Sequence, residues 1–236
     1  MVLSIEVWDA ENRLVAITRA DNTTIWYGYD YLSRRISKQL NSDPATLFIY
    51  KGWNLCAEYT GTTLKKTYTW GMDLSGSMQG AGGVGGLLRV TEHSEGSGGS
   101  GGSTSHYYPA YNGNGDVSEY LDTSGNVVTH YQYDPFGNTT VANGSKKDDF
   151  AHRFSTKYLD EETGLYYYGY RYYDPVTGRW PSRDPLGESW DTDEFNEYCF
   201  INNYSYWDYD ILGLKGGKGG KGGGKLSDEA KGRLSG

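Results

Sequence analysis

The chain of 236 residues contains 34 glycines and 23 tyrosines and carries a formal net charge of −8. Tyrosine favours the half-buried faces of strands and glycine favours tight turns, so this composition predicts an all-β protein. Positive charge is concentrated in residues 215–236, which leaves the preceding residues strongly acidic. This balance argues against nucleic acid as a partner, because phosphate binding needs a cationic surface. No apolar run approaches the length of a membrane-spanning helix, and no signal peptide is recognised in the chain.

A phrase built around Tyr-x-Tyr-Asp recurs along the chain and predicts strands that end in turns. Its copies are "VWDAENRLVAI" at 7–17, "YGYDYLSRRI" at 27–36, "YQYDPFGNTT" at 131–140 and "YGYRYYDPVTGRW" at 168–180. Side chains alternate along a strand, so both tyrosines of the phrase lie on one face. An aspartate hydrogen-bonds to its own downstream backbone, and a neighbouring proline or glycine fixes the turn. We therefore predict that Asp30, Asp134 and Asp174 close turns and have a structural role.

Between these phrases, apolar and polar residues alternate and predict further strands. Residues 45–71 indicate two or three strands, and residues 115–134 indicate a strand pair around a turn. The glycine-rich stretches 80–88 and 95–105 are expected to be loose, and residues 215–225 are expected to be disordered. The part of the chain before the tail shows no convincing apolar stripe of helical period and length.

The sequence predicts no metal site and no cofactor. Its four histidines are scattered and lack the paired spacing of zinc ligands. Cys56 and Cys199 lie far apart in the chain, and we expect two half-buried free thiols, with a disulfide between them left open as the alternative.

The recurring phrases, and above all "GLYYYGYRYYDPVTGRWPSRDPLGE" at 164–188, resemble YD repeats and the RHS-repeat-associated core domain. That family includes the C subunits of insecticidal Tc complexes, bacterial polymorphic toxins and, more distantly, teneurins. The resemblance covers roughly residues 5–214. It implies a strip of antiparallel β-hairpins that curls as part of a spiral β-shell around a C-terminal passenger.

On this resemblance the chain divides into three parts. Residues 1–150 are expected to form the YD-repeat strip, with loose Gly/Ser-rich loops at 80–105. Residues 151–214 are expected to form the RHS-repeat-associated core domain. Residues 215–236 are expected to be a disordered Gly/Lys-rich tail.

The resemblance also implies an aspartic-type protease that cleaves its own chain. The catalytic aspartates of the family fall on Asp184 and Asp210, and the supporting arginine falls on Arg171. The implied cleavage site is Gly213-Leu214-Lys215, with the scissile bond after Leu214. Two neighbouring carboxylates that share a proton can act as base and acid, which suits peptide hydrolysis.

The residues alone also permit a purely structural interpretation of the same positions. Asp-Pro and Asp-x-x-Gly are common turn formers, and an arginine commonly pairs with an acid on a neighbouring strand. The sequence "DILGL" at 210–214 departs from the family in having Ile211 where proline is usual. This departure, and the short tail, favour a scaffold without a reaction.

Two functions therefore stand, and enzymatic activity is left open. In the first, a core domain of a toxin-type shell cleaves itself and releases its own C-terminal segment. In the second, the chain is a non-catalytic β-scaffold or a module that binds cell-surface glycans. Other YD-repeat segments or shell subunits are the expected partners. The resemblance suggests a secreted or cell-surface location after export by a dedicated system.

Overall fold

The computed structural model of the chain describes residues 4–95, 102–185, 196–201 and 210–214. Fifteen strands are found in these residues: β1 (Ile5–Trp8), β2 (Leu14–Thr18), β3 (Thr24–Tyr29), β4 (Arg35–Leu40), β5 (Thr46–Lys51), β6 (Asn54–Thr60), β7 (Thr63–Trp70), β8 (Leu87–Ser94), β9 (Ser103–Tyr111), β10 (Val117–Leu121), β11 (Val127–Tyr133), β12 (Thr139–Asn143), β13 (Tyr158–Asp160), β14 (Leu165–Tyr167) and β15 (Tyr172–Tyr173). One 3-10 turn, Phe154–Thr156, precedes β13, and the described residues contain no α-helix. The prediction of an all-β protein is confirmed.

Strand order follows chain order, which is the topology of consecutive hairpins. Strands β1 to β12 form one antiparallel sheet in sequence order, and β13 to β15 form a second, small sheet. Each hairpin needs only a short turn, because antiparallel neighbours can be joined by a few residues. The Tyr-Asp phrases supply several of these turns.

The turn aspartates have the structural role that the sequence predicted. Oδ1 of Asp30 accepts hydrogen bonds from the amides of Leu32 (3.0 Å) and Arg34 (2.9 Å). Oδ1 of Asp134 accepts in the same way from the amides two and four residues ahead, at 2.8 and 3.0 Å. Asp174 accepts from the amide of Val176 at 2.9 Å.

In two copies of the phrase, the second tyrosine ties the turn to the preceding hairpin. The hydroxyl of Tyr29 donates to the carbonyl of Leu14 at 2.6 Å. The hydroxyl of Tyr133 donates to the carbonyl of Val117 at 2.7 Å. Because these carbonyls lie 15 and 16 residues back, the same contact recurs from one repeat to another.

The chain forms two compact units, each with its own core. The first comprises Met1–Tyr68 and Thr91–Ser105, and the second comprises Thr69–Val90 and His106–Gly236. In the first unit the buried core includes Leu14, Ile25 and Phe48. A division between strip and core domain at residue 150 stays a prediction.

An aromatic cluster lies at the centre of the second unit. It consists of buried side chains from the 3-10 turn, from β14, β15 and the residues around them, and from the segment near residue 200: Phe154, Tyr166, Tyr168, Tyr173, Trp180, Phe200 and Ile201. Rings in this cluster meet edge-on or stacked, as in the 4.1 Å pair of Tyr173 and Phe200. Such aromatic pairs contribute stability beyond that of the area they bury, and polar groups of the site pack beside them.

The glycine-rich stretch 80–88 is packed, and the expectation of a loose segment is wrong there. Ala81, Val84 and Leu87 are completely buried. The buried carboxylate of Asp73 accepts hydrogen bonds from the amides of Ala81 (2.7 Å) and Gly83 (3.1 Å). The glycines permit tight turns and close backbone approach. Composition alone does not distinguish such a packed segment from a flexible one. Within the second stretch, 95–105, residues 96–101 lie outside the described residues.

Candidate active site

Arg171, between β14 and β15, joins three separate segments of the second unit. Its guanidinium donates to Oδ2 of Asp184 at 2.8 Å and to the carbonyl of Glu197 at 2.9 Å. It also donates through Nε to the carbonyl of Gly213. The guanidinium carbon lies 4.2 Å from the ring centroid of Trp180. Only 2% of the side chain is exposed, and burial lowers the pKa of Arg171, although the nearby carboxylates oppose this effect.

Asp210 begins a tight turn and caps it. Its Oδ1 accepts hydrogen bonds from the amides of Leu212 (3.0 Å), Gly213 and Leu214 (3.1 Å). Gly213 has φ of +73°, and a Cβ there would lie 3.0 Å from the backbone nitrogen of Arg171. Glycine is therefore required both by the backbone conformation and by the close approach of the two segments.

The two aspartates of the sequence hypothesis meet at one guanidinium nitrogen. Nη2 of Arg171 lies 2.8 Å from Oδ2 of Asp184 and 4.0 Å from Oδ2 of Asp210. The exposed fractions of the two carboxylate side chains are 6% and 2%. Burial raises the pKa of Asp210 to about 6, and repulsion from Asp184 acts in the same direction. Asp210 is thus the carboxyl that retains a proton more readily than an ordinary aspartate.

The turn at 210–214 is buried along its whole length. Ile211, Leu212 and Leu214 are 2%, 4% and 2% exposed. The amide of Tyr170 donates to the carbonyl of Leu212 at 2.9 Å, so the turn is also fixed by backbone bonding. Lys215, on the other side of the predicted scissile bond, lies outside the described residues.

Lys157 is a component of the site that the sequence hypothesis missed. Its ammonium group donates to the carbonyls of Gly82 (2.8 Å) and Ile211 (2.9 Å). Burial lowers the pKa of Lys157 to about 8, while attraction from Asp210 and Asp73 opposes the shift. Lysines are rarely buried, and nothing in the local stretch "RFSTKYL" distinguishes this one from a solvated lysine.

The described residues contain no group of three or more His, Cys, Asp or Glu side chains arranged to hold a metal ion. Cys56 and Cys199 are free and half-buried. No helix in the described ranges is long and apolar enough to cross a membrane.

Comparison with known proteins identifies relatives of this chain. Residues 101–208 match the family model described as Teneurin YD-shell. The chain is 34% identical over 203 residues to the tRNA3(Ser)-specific nuclease WapA of Bacillus spizizenii, and the match covers 83% of this chain and 8% of that protein. It is 41% identical over 86 residues to toxin subunit YenC2 of Yersinia entomophaga. That match covers 35% of this chain and 8% of the toxin subunit.

A solved structure shares the fold. The crystal structure of TcdB2-TccC3-TEV superposes with a TM-score of 0.66 at 25% identity, and the match covers 89% of this chain and 10% of that one. The matched segments span about a tenth or less of the length of each of these three proteins. The repeated Tyr-Asp turns, the sheet in chain order and these matches agree: the chain is a YD-repeat shell protein, related to WapA and to the Tc toxin subunits.

Proposed function

We propose that the chain forms part of a toxin-type YD-repeat shell and that its Asp184–Asp210 pair cleaves the chain once, between Leu214 and Lys215. The observation that carries the proposal is the position of Arg171. One guanidinium contacts the Asp184 carboxylate, lies 4.0 Å from the Asp210 carboxylate and bonds to the carbonyl of Gly213, one residue before the bond in question.

The charge state of the pair fits acid–base hydrolysis. Asp184 forms an ion pair with Arg171 and can accept a proton from an attacking water. Asp210, with its raised pKa, can donate a proton to the leaving amine. In this step a water oxygen bonds to the carbonyl carbon of Leu214 and the carbon–nitrogen bond to Lys215 breaks. The products are a carboxylate on Leu214 and an amine on Lys215.

The direction of the pH dependence follows from these roles. Below the pKa of Asp210, about 6, Asp210 is protonated, and this form is competent for the reaction. Above that value the competent form declines about tenfold for each pH unit. Cleavage is therefore expected to be faster at pH 5 than at pH 8.

A passenger released by cleavage also fits the names of the relatives. The Bacillus proteins are nucleases and the Yersinia proteins are toxin subunits. Each is much longer than the matched segment. A cut at this turn would separate the shell from whatever follows it.

Intact mass spectrometry of freshly purified protein tests the proposal. Wild type is compared with Asp184→Asn and with Asp174→Asn, a control at a turn aspartate in the same unit. We expect wild type and the control to lose the mass of residues 215–236 and Asp184→Asn to retain it. Uncut wild type after long incubation at pH 5 would contradict the protease and leave a structural scaffold. Equal cleavage of Asp184→Asn would show that another group does the chemistry.

A further inference from the structure

We infer that Lys157 is a positioning residue for the self-cleavage: its ammonium group fixes the turn at 210–214, which carries Asp210. The inference rests on the proposed function and adds a residue that the family resemblance did not supply. It is carried by the hydrogen bonds of Lys157, by the backbone that presents it and by the close approach of Gly82.

The ammonium group of Lys157 bridges two backbone segments inside the protein. It donates to the carbonyls of Gly82 and Ile211 at 2.8 and 2.9 Å, and the residue is only 6% exposed. A buried cation is costly unless negative charge is near, and two carbonyls provide dipoles alone. The negative charges that act on Lys157 are those of Asp210 and, more weakly, Asp73.

Asp210 and Asp73 hold different turns, and Asp210 has the larger effect on Lys157. One oxygen of Asp73 accepts from the amides of Ala81 and Gly83, and the other accepts from Ser75. Those bonds hold the glycine-rich turn. Asp210, in contrast, uses one oxygen to cap its turn and has the other near the guanidinium of Arg171.

The backbone before Lys157 is held in an unfavourable conformation that directs the lysine inward. Ser155 and Thr156 have φ of +50° and +54°, the left-handed region that non-glycine residues avoid. The amide of Ser155 donates to Asp116 at 2.7 Å. The hydroxyl of Thr156 donates to the carbonyl of Gly115 at 2.7 Å and accepts from an amide at 2.8 Å. Such strain persists where surrounding contacts enforce it, and it is concentrated at functional sites.

The backbone segments at Gly82 and Ile211, which Lys157 joins, approach each other closely. A Cβ at Gly82 would lie 1.8 Å from the carbonyl oxygen of Ile211. Lys157 donates to both of these residues, while Arg171 donates to the carbonyl of Gly213. Two cations thus hold alternate carbonyls of the turn that precedes the proposed scissile bond.

Because Lys157 is charged, its replacement should change the pH dependence of cleavage, which a role in packing alone would not do. The charged groups that act on Asp210 are Arg171 and Lys157, which lower its pKa, and Asp184, which raises it. Loss of the lysine charge lets Asp210 hold its proton to higher pH. The falling limb of the pH profile, on which cleavage slows as pH rises, should therefore lie at higher pH in a variant that lacks this charge.

The test compares cleavage rates from pH 4.5 to 9 in wild type, Lys157→Met, Lys157→Arg and the exposed control Lys65→Met. We expect Lys157→Met to cleave at least about tenfold more slowly at its optimum and to shift the falling limb upward by about one pH unit. Lys157→Arg, which keeps the charge, should lose rate and keep the limb in place. Lys65→Met should match wild type.

Hydrogen exchange provides a readout that does not need cleavage. In an Asp184→Asn background, Lys157→Met should speed exchange of the Leu212 and Leu214 amides at least about tenfold, with the β10–β11 hairpin unchanged. If wild type cleaves but Lys157→Met changes neither the pH above which cleavage slows nor the rate of amide exchange, this inference fails and the proposed function stands. If wild type never cleaves, both the proposed function and the catalytic part of the inference fail. Hydrogen exchange then tests only whether Lys157 holds the turn at 210–214.

Discussion

Replacement of Gly82 by alanine is the sharpest structural test of how the candidate site is assembled. Gly82 has φ of +63°, and its missing Cβ leaves room for the carbonyl oxygen of Ile211. An added methyl group would lie 1.8 Å from that oxygen. The backbone of Ile211 would have to retreat by more than an ångström to reach ordinary contact, because real Cβ atoms approach no closer than 3.0 Å.

The expected cost has two parts. Alanine at a positive φ costs about 1 kcal/mol relative to glycine. The retreat of Ile211 also breaks its hydrogen bond with Lys157, 2.9 Å in the native chain, and leaves a buried cation with one acceptor fewer. A broken buried hydrogen bond to a charged group adds about 1.5–3 kcal/mol. The total for Gly82→Ala is therefore about 2.5–4 kcal/mol.

Gly125→Ala is the matched control. Gly125 lies in the same unit and has φ of +82°, but a Cβ there meets nothing within 4 Å. Urea unfolding followed by tryptophan fluorescence should give a loss of about 1 kcal/mol for the control and about 1.5–3 kcal/mol more for Gly82→Ala. Equal losses, within about 0.5 kcal/mol, would show that the segments around Gly82 and Ile211 are not in contact in solution.

Three further changes test separate parts of the structure by the same unfolding measurement. Asp210→Asn should remove a pH dependence of stability. The raised pKa of Asp210 means that its ionisation destabilises the folded chain, so wild type should lose roughly 2 kcal/mol relative to this variant as pH rises from 4 to 7. A difference that stays constant over this range would contradict the buried, titrating carboxyl. Tyr29→Phe removes the hydrogen bond to Leu14 and should cost about 1 kcal/mol, whereas Tyr31→Phe, at a residue 85% exposed, should cost nothing measurable. Asp134→Ala removes the turn cap and should cost about 1–2 kcal/mol; a neutral result would contradict the structural role of the phrase.

Local chemistry explains which parts of the fold the sequence could predict. An aspartate that caps amides two and four residues ahead needs only its own turn, so Asp30 and Asp134 could be predicted from the repeated phrase. The all-β class followed from the same phrase and from the alternation between its copies. The residues brought together at the site, Arg171, Asp184 and Asp210, came from the family resemblance, because spacing alone does not show that distant carboxylates meet.

Long-range contacts explain what the sequence could not predict. Lys157 is 75 residues from Gly82 and 54 from Ile211, and no local pattern reports that all three meet. The stretch 80–88 has the composition of a linker, yet a Cβ at Gly82 would overlap the backbone of Ile211. In both cases the decisive partner lies far away in the chain.

The turn-forming and the catalytic interpretation of Asp210 are compatible, and a comparison with Asp122 shows why. Oδ1 of Asp122 accepts from the amides of Ser124 (2.8 Å) and Asn126 (2.9 Å), the bonding that Asp210 makes with its own turn. In the exposed turn, hydrogen bonds from Asn126 lower the pKa of Asp122. In the buried turn, desolvation outweighs equivalent bonds and raises the pKa of Asp210. The common turn of the repeat therefore becomes a candidate proton donor chiefly through burial, and that burial is supplied by segments remote from the turn.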